Sequence, residues 1–156
     1  MELILWRHAE AEDANGKSDP ERSLTKKGRK QAERVAAWLE TRIDSDWRIL
    51  VSPTKRTLQT VEPLDQAYEV SEAVGTGTSP NALLRATGWP DGKRNVLVVG
   101  HQPTLGEIAA ELLDIRDGGL SVRKGAIWWF ASRSRDGGRE TLLKAVLSPD
   151  LIDAGS

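Results

Sequence analysis

The stretch LILWRHAEAED, residues 3–13, decides how this chain is read. Its apolar run, taken with the preceding residue as ELILW, reads as a first strand that ends at Arg7 and His8. The whole chain holds two histidines, and one of them stands at that strand end, directly behind an arginine. Open α/β sheets bind ligands outside the carboxyl ends of their strands, so the position raises one question. Which other polar groups reach the same edge?

Working outward, apolar runs rich in β-branched residues alternate with stretches of helical period, the pattern of an α/β domain on a largely parallel sheet. A helix follows from about Thr25, a plausible N-cap, with Ala32, Val35, Ala36, Leu39 and Ile43 at spacings of three and four. A second strand, RILVS (48–52), runs into SPTKRTLQTVEPL, where Ser52 caps a helix and Pro53 takes its first position, having no N–H to leave unsatisfied there. Arg56 falls in the first turns of that helix. After a helix near 80–87, NVLVVG (95–100) reads as a buried strand, and HQPTLGEIAAELL (101–113) as the helix after it, with Pro103 at the start. AIWWFAS and ETLLKAVLS flank the turn signal RDGG and predict an antiparallel hairpin added to the sheet, with Trp128 and Trp129 on opposite faces of one strand. The expected fold is a three-layer α/β/α sandwich with a mostly parallel central sheet and an antiparallel C-terminal hairpin. The chain reads as one domain over 1–156, and its last residues, DAGS, are expected to fray.

Three strand ends then deliver Arg7 and His8, Arg56, and His101 to one edge. Each has an ordinary reading alone: a hydrogen-bonded structural histidine, a salt-bridged arginine, a solvated helix residue. Together they form a positive pocket, and paired guanidinium donors suit a phosphate. The main-chain N–H of Gln102 and the N-terminus of the following helix add to it. The expected ligand is a phosphoryl group, with His8, neutral and with one ring N–H held by a main-chain carbonyl, as a nucleophile. Arg7 and Arg56 hold the oxygens, and His101, if protonated, donates to one of them.

With 22 basic and 23 acidic side chains, net charge −1, no overall field draws the chain to nucleic acid or an anionic membrane, and the cluster KKGRK reads as a solvated helix face. No apolar run reaches the ~20 residues of a membrane span. Neither a signal peptide nor a cysteine is present, so a cytoplasmic location is expected. HAEAED lacks the spacing of known zinc motifs and reads as a solvated loop; no metal or other cofactor is expected.

These motifs resemble the histidine phosphatase superfamily, the phosphoglycerate mutase-like fold. The resemblance rests on Arg7-His8-Ala9 as a variant of its RHG motif, on LTKKGRKQA (Leu24, Thr25, Gly28, Gln31, Ala32), on SPTKRTLQT (Ser52, Pro53, Arg56, Gln59, Thr60), and on GHQP carrying His101. It implies His8 as nucleophile, Arg7 and Arg56 as phosphate ligands, and His101 as the second pocket histidine. Ala9 stands where the family has glycine. The short length is similar to the SixA branch, which removes phosphate from phosphohistidine on signalling proteins. That implies a phosphohistidine-bearing partner and a pocket open enough to admit it.

Larger members of the family carry an acid on a segment before the second-histidine strand, where this chain offers only Asp91; Asp13, Asp19 and water are the remaining proton sources. An alkoxide needs such an acid, whereas the nitrogen of phosphohistidine leaves with less help. A phosphatase for small phosphate esters and a non-catalytic phosphate-binding module are the alternatives. Trp89 reads as a packing residue or a part of the pocket rim.

Overall fold

A computed structural model describes residues 1–153; the expected fraying of the last residues concerns 154–156, which lie outside them. Six strands form one sheet: β1 (Glu2–Arg7), β2 (Arg48–Val51), β3 (Glu69–Val70), β4 (Val96–Gly100), β5 (Ile127–Arg135) and β6 (Gly138–Leu147). Their spatial order is β3-β2-β4-β1-β5-β6, with the first four parallel and the last two an antiparallel hairpin. The four helices are α1 (Lys26–Glu40), α2 (Lys55–Val61), α3 (Pro80–Thr87) and α4 (Thr104–Leu112).

Side-chain alternation along the strands sorts the core into two layers. Ile4, Trp6, Leu97 and Val99 face α1 through Val35, Ala36 and Leu39. Leu3, Leu5, Val96 and Val98 face the other way, onto Leu83 of α3 and Leu105, Ile108 and Ala109 of α4. This is the expected α/β/α sandwich. Trp129 joins the first layer and Trp128 packs against the second, on opposite faces of β5 as expected. In the KKGRK run, Lys26, Lys27, Arg29 and Lys30 are exposed around a buried Gly28.

Strand β4 lies between β1 and β2, so the chain leaves β1, covers one face with α1, and returns from the other face through α3. The carboxyl ends of β1, β4 and β2 therefore border one crevice at a topological switch point.

One sequence expectation is corrected. Ser52 does not cap a helix: Thr54 is the N-cap of α2, taking the Thr57 N–H on its hydroxyl. Ser52 is fully buried and its hydroxyl is engaged elsewhere, so the helix begins two residues later than proline at 53 suggests. Of the two readings of Trp89, packing holds, and it is absent from the cavity lining. It packs in the second layer near Met1, and the neighbouring Pro90 carbonyl accepts from Ser132, whose N–H bonds to Met1; this is the end of the sheet away from His8.

Candidate active site

His8 sits just past β1, and its main chain is pinned on both sides: its N–H donates to the Gly100 carbonyl at 3.1 Å and its carbonyl accepts from Gly125 at 3.0 Å. Gly125 has φ of 74°, a left-handed conformation in which a side chain is strained, so glycine suits this clamp. The next residue, Ala9, is fully buried and is not among the residues with positive φ, so alanine fits where the family has glycine.

Motif residues outside the pocket fasten the segment that follows. Thr60 accepts the Ala9 N–H at 3.0 Å, Gln31 accepts the Glu10 N–H at 2.9 Å, and Gln59 accepts the Leu24 N–H at 2.7 Å. Thr25 caps α1 by accepting the Gly28 N–H at 2.9 Å. Each buried main-chain donor thus finds a side-chain oxygen.

Arg7, His8, Arg56 and His101 line one cavity of about 200 Å³, together with Ala11, Arg22, Thr76, Gln102 and Lys124. Thr76 and Lys124 are exposed, so the cavity opens to solvent. Both histidines and Arg56 are buried, and the two imidazole centroids are 5.4 Å apart.

The hydrogen bonds fix both tautomers. His8 Nδ1 is 2.7 Å from the Ala9 carbonyl, which can only accept, so Nδ1 carries the proton and Nε2 keeps its lone pair. Burial, together with the charges of Arg56, Arg7 and Arg22, lowers the His8 pKa to about 4, against the opposing pull of the Ala9 carbonyl. His101 Nδ1 faces the Arg56 Nη2 donor at 3.4 Å, and its Nε2 meets the Ser52 hydroxyl at 2.7 Å. The proton is therefore on Nε2. Burial and the Arg56 charge lower this pKa to about 3, so the protein groups alone hold His101 neutral, short of the protonation on which its expected donor role depends.

Arg7 donates from Nη1 to the Val122 carbonyl at 2.9 Å. Arg56 donates to the Asp19 main-chain oxygen at 2.9 Å and carboxylate at 3.0 Å. The Nε atoms of both arginines are buried without a hydrogen-bond partner among the described residues. Unpaired donors of this kind call for acceptor oxygens.

Residues 3–74 fit the model of the histidine phosphatase superfamily (branch 1). A phosphohistidine phosphatase SixA homolog of Haemophilus influenzae is 33% identical over 132 residues, covering 75% of this chain and 80% of its own. The chain belongs to the histidine phosphatase superfamily. Phosphohistidine phosphatase SixA of Escherichia coli is 30% identical over 126 residues, 72% of this superfamily member and 74% of its relative. The solved structure of the protein histidine phosphatase SixA complexed with tungstate superposes with a TM-score of 0.71 at 27% identity, covering 97% and 99% of the two chains. A phosphoserine phosphatase mutant from Entamoeba histolytica shares the fold alone, at TM-score 0.69 and 19% identity over 95% and 97%.

The carboxylates expected to matter divide. Asp91 pairs with Arg139 on the hairpin and is absent from the cavity lining. Asp13 is exposed and likewise outside the lining. Asp19 reaches the site through Arg56, in the short 3-10 turn Asp19–Glu21. Sequence reading named Gln102 for its main-chain N–H but missed its side chain, which accepts the Gly106 N–H at 2.7 Å, and it missed Arg22, Lys124 and Ser52 as the partner of His101. Ser52 and Gln102 lie inside the quoted motifs and Arg22 two residues before LTKKGRKQA, whereas Lys124 stands near none of them.

Proposed function

We propose that this phosphatase hydrolyses phosphohistidine on a partner protein by way of a phosphorylated His8. The observation that carries the reading is the His8–Ala9 hydrogen bond, which leaves a neutral imidazole with its Nε2 lone pair in a cavity walled by guanidiniums. That nitrogen attacks phosphorus as the P–N bond of the substrate breaks, and the partner's imidazole, protonated on its other ring nitrogen, leaves as the neutral base. Water then attacks the phosphorylated His8, releasing inorganic phosphate and restoring the lone pair at Nε2. Phosphoryl transfer needs positioning and charge neutralisation above all, and Arg7 and Arg56 offer both. A phosphoryl dianion beside His101 opposes the Arg56 charge and favours its protonation, which turns Nδ1 into a donor to a developing oxygen charge.

Among the described residues, the one carboxylate paired with a pocket arginine supports the choice of substrate. Asp19 bonds to Arg22 and Arg56, which hold its carboxyl below the usual carboxylate range, so it is ionised and ill-suited to protonate an alkoxide. A nitrogen-linked phosphoryl group needs less help. Curated relatives named as phosphohistidine phosphatases agree with this. The partner is a phosphohistidine-bearing carrier or phosphotransfer protein, admitted by the open rim.

The test compares phosphate release from a phosphohistidine-bearing carrier protein with release from a panel of small phosphate esters, for the wild type and His8→Ala. Release from the carrier alone, lost in the variant, is expected. Efficient release from esters overturns the substrate assignment, and tight phosphopeptide binding without release overturns the enzyme reading.

A further inference from the structure

A third guanidinium lines the cavity and has no task in the mechanism above. Arg22 donates from Nε to the Glu12 carbonyl at 2.8 Å and from Nη1 to Asp19 Oδ1 at 3.1 Å. Its Nη2 has no hydrogen-bond partner among the described residues. The side chain is three-quarters buried, at 26% exposure, so it is held against the wall instead of ranging through solvent. Its charge reaches His8, where it adds to those of Arg56 and Arg7.

Asp19 joins the two arginines. Oδ1 accepts from Arg22, Oδ2 accepts from Arg56 at 3.0 Å, and the main-chain oxygen of the same residue takes Arg56 Nη1 at 2.9 Å. The carboxylate is 56% exposed, so these pairs contribute little to stability. Their evident effect is on orientation, since a planar fork bound at two corners has its third direction fixed. Charge agrees. Arg7, Arg22 and Arg56 against one carboxylate leave two positive charges beside two neutral imidazoles, and exposed Lys124 adds a third at the mouth, an excess that suits a phosphoryl dianion.

We infer that Arg22 is a third phosphoryl-binding residue and that Asp19 is the positioning residue that sets Arg22 and Arg56 for it. The inference rests on the phosphoryl reading of the pocket, but not on which phosphorylated molecule is turned over.

Inorganic phosphate, titrated calorimetrically into the wild type, Arg22→Ala, Arg22→Lys, Asp19→Ala and the remote control Arg116→Ala, tests it. Arg22→Ala should weaken phosphate binding about 10- to 100-fold, the loss of one charge-assisted hydrogen bond. Arg22→Lys, which keeps the charge and the fold but loses the fork, should recover part of that. Asp19→Ala separates the two parts by sign. Removing a carboxylate from an anion site should tighten binding if charge alone matters, whereas loss of positioning weakens it. Weaker binding in Asp19→Ala supports the inference; tighter binding overturns the role of Asp19. Unchanged affinity in Arg22→Ala and Arg22→Lys overturns that of Arg22. A wild type that binds no phosphate overturns the pocket reading itself. A wild type that binds phosphate through Arg22 yet leaves phosphohistidine intact overturns only the proposed substrate.

Discussion

Thr60 accepts the main-chain N–H of Ala9 at 3.0 Å and gives its own hydroxyl proton to the Arg56 carbonyl at 2.7 Å. One buried side chain therefore ties the residue after His8 to the helix that presents Arg56. The geometry between nucleophile and phosphate ligand is set by a threonine that never reaches the pocket.

Replacing that threonine by valine keeps the shape and removes the acceptor. Thr60→Val leaves the Ala9 N–H buried and unpaired, which should cost about 1–3 kcal/mol in urea unfolding, with a loss of phosphatase activity beyond what stability explains. Thr60→Ser should restore most of both. Equal stability of the valine and serine variants would show that the bond contributes nothing.

Ser52 plays the same part for the second histidine. Its hydroxyl takes the His101 Nε2 proton at 2.7 Å in a fully buried position. Ser52→Ala orphans that donor, with an expected stability loss of about 1–3 kcal/mol and a freer imidazole. In the NMR spectrum of the variant, the His101 ring proton on Nε2 should exchange with water faster than in the wild type.

The buried imidazoles link stability to pH. Their pKa values are lowered by burial to about 4 for His8 and about 3 for His101, below the ordinary histidine value. The unfolded chain therefore binds more protons than the folded one in this window, and stability rises with pH across it. It should be fully present above the unfolded value and fall as pH drops from about 6.5 toward 4, by at most ~1.4 kcal/mol per pH unit for each ring. Denaturant unfolding of the wild type and His8→Asn between pH 7 and 4.5 checks this, the variant having the shallower dependence. Parallel curves would contradict the buried neutral state of His8.

Gly28 marks where α1 meets the segment after His8. A Cβ there would collide with the Glu10 main-chain oxygen, which is backbone and cannot step aside. Gly28→Ala should destabilise the protein by about 1–3 kcal/mol in spite of alanine's better helix propensity, measured by urea unfolding. A stabilised variant would contradict the close approach.

The fold was legible because period and burial coincide. Val35, Ala36 and Leu39 of the α1 periodicity meet Ile4 and Trp6, while Ala32 packs on Ala9 and Leu24 and Ile43 lies past the helix end, and the uninterrupted NVLVV run is the strand covered on both faces. The strand ends that brought Arg7, His8, Arg56 and His101 together were legible for the same reason. What escaped was the linkage between distant segments. Nothing in the spacing of Ser52 pairs it with His101, since 49 residues separate them and the bond depends on β2 and β4 being neighbours. The cap shifted from Ser52 to Thr54 because tertiary burial claimed the first hydroxyl. Asp91 and Asp19 have similar local contexts in sequence, and only the topology sends one to the hairpin and the other to Arg56.

Site of phosphorylation is the most direct test of the account. Wild type, His8→Ala and His101→Ala are mixed with a carrier protein bearing radiolabelled phosphohistidine, quenched in alkali within the first turnover, and mapped by mass spectrometry. The account predicts label on His8 in the wild type, retained longer in His101→Ala, and neither label nor phosphate release in His8→Ala. Phosphate release by His8→Ala at a rate near that of the wild type, or label found on another residue, would contradict it.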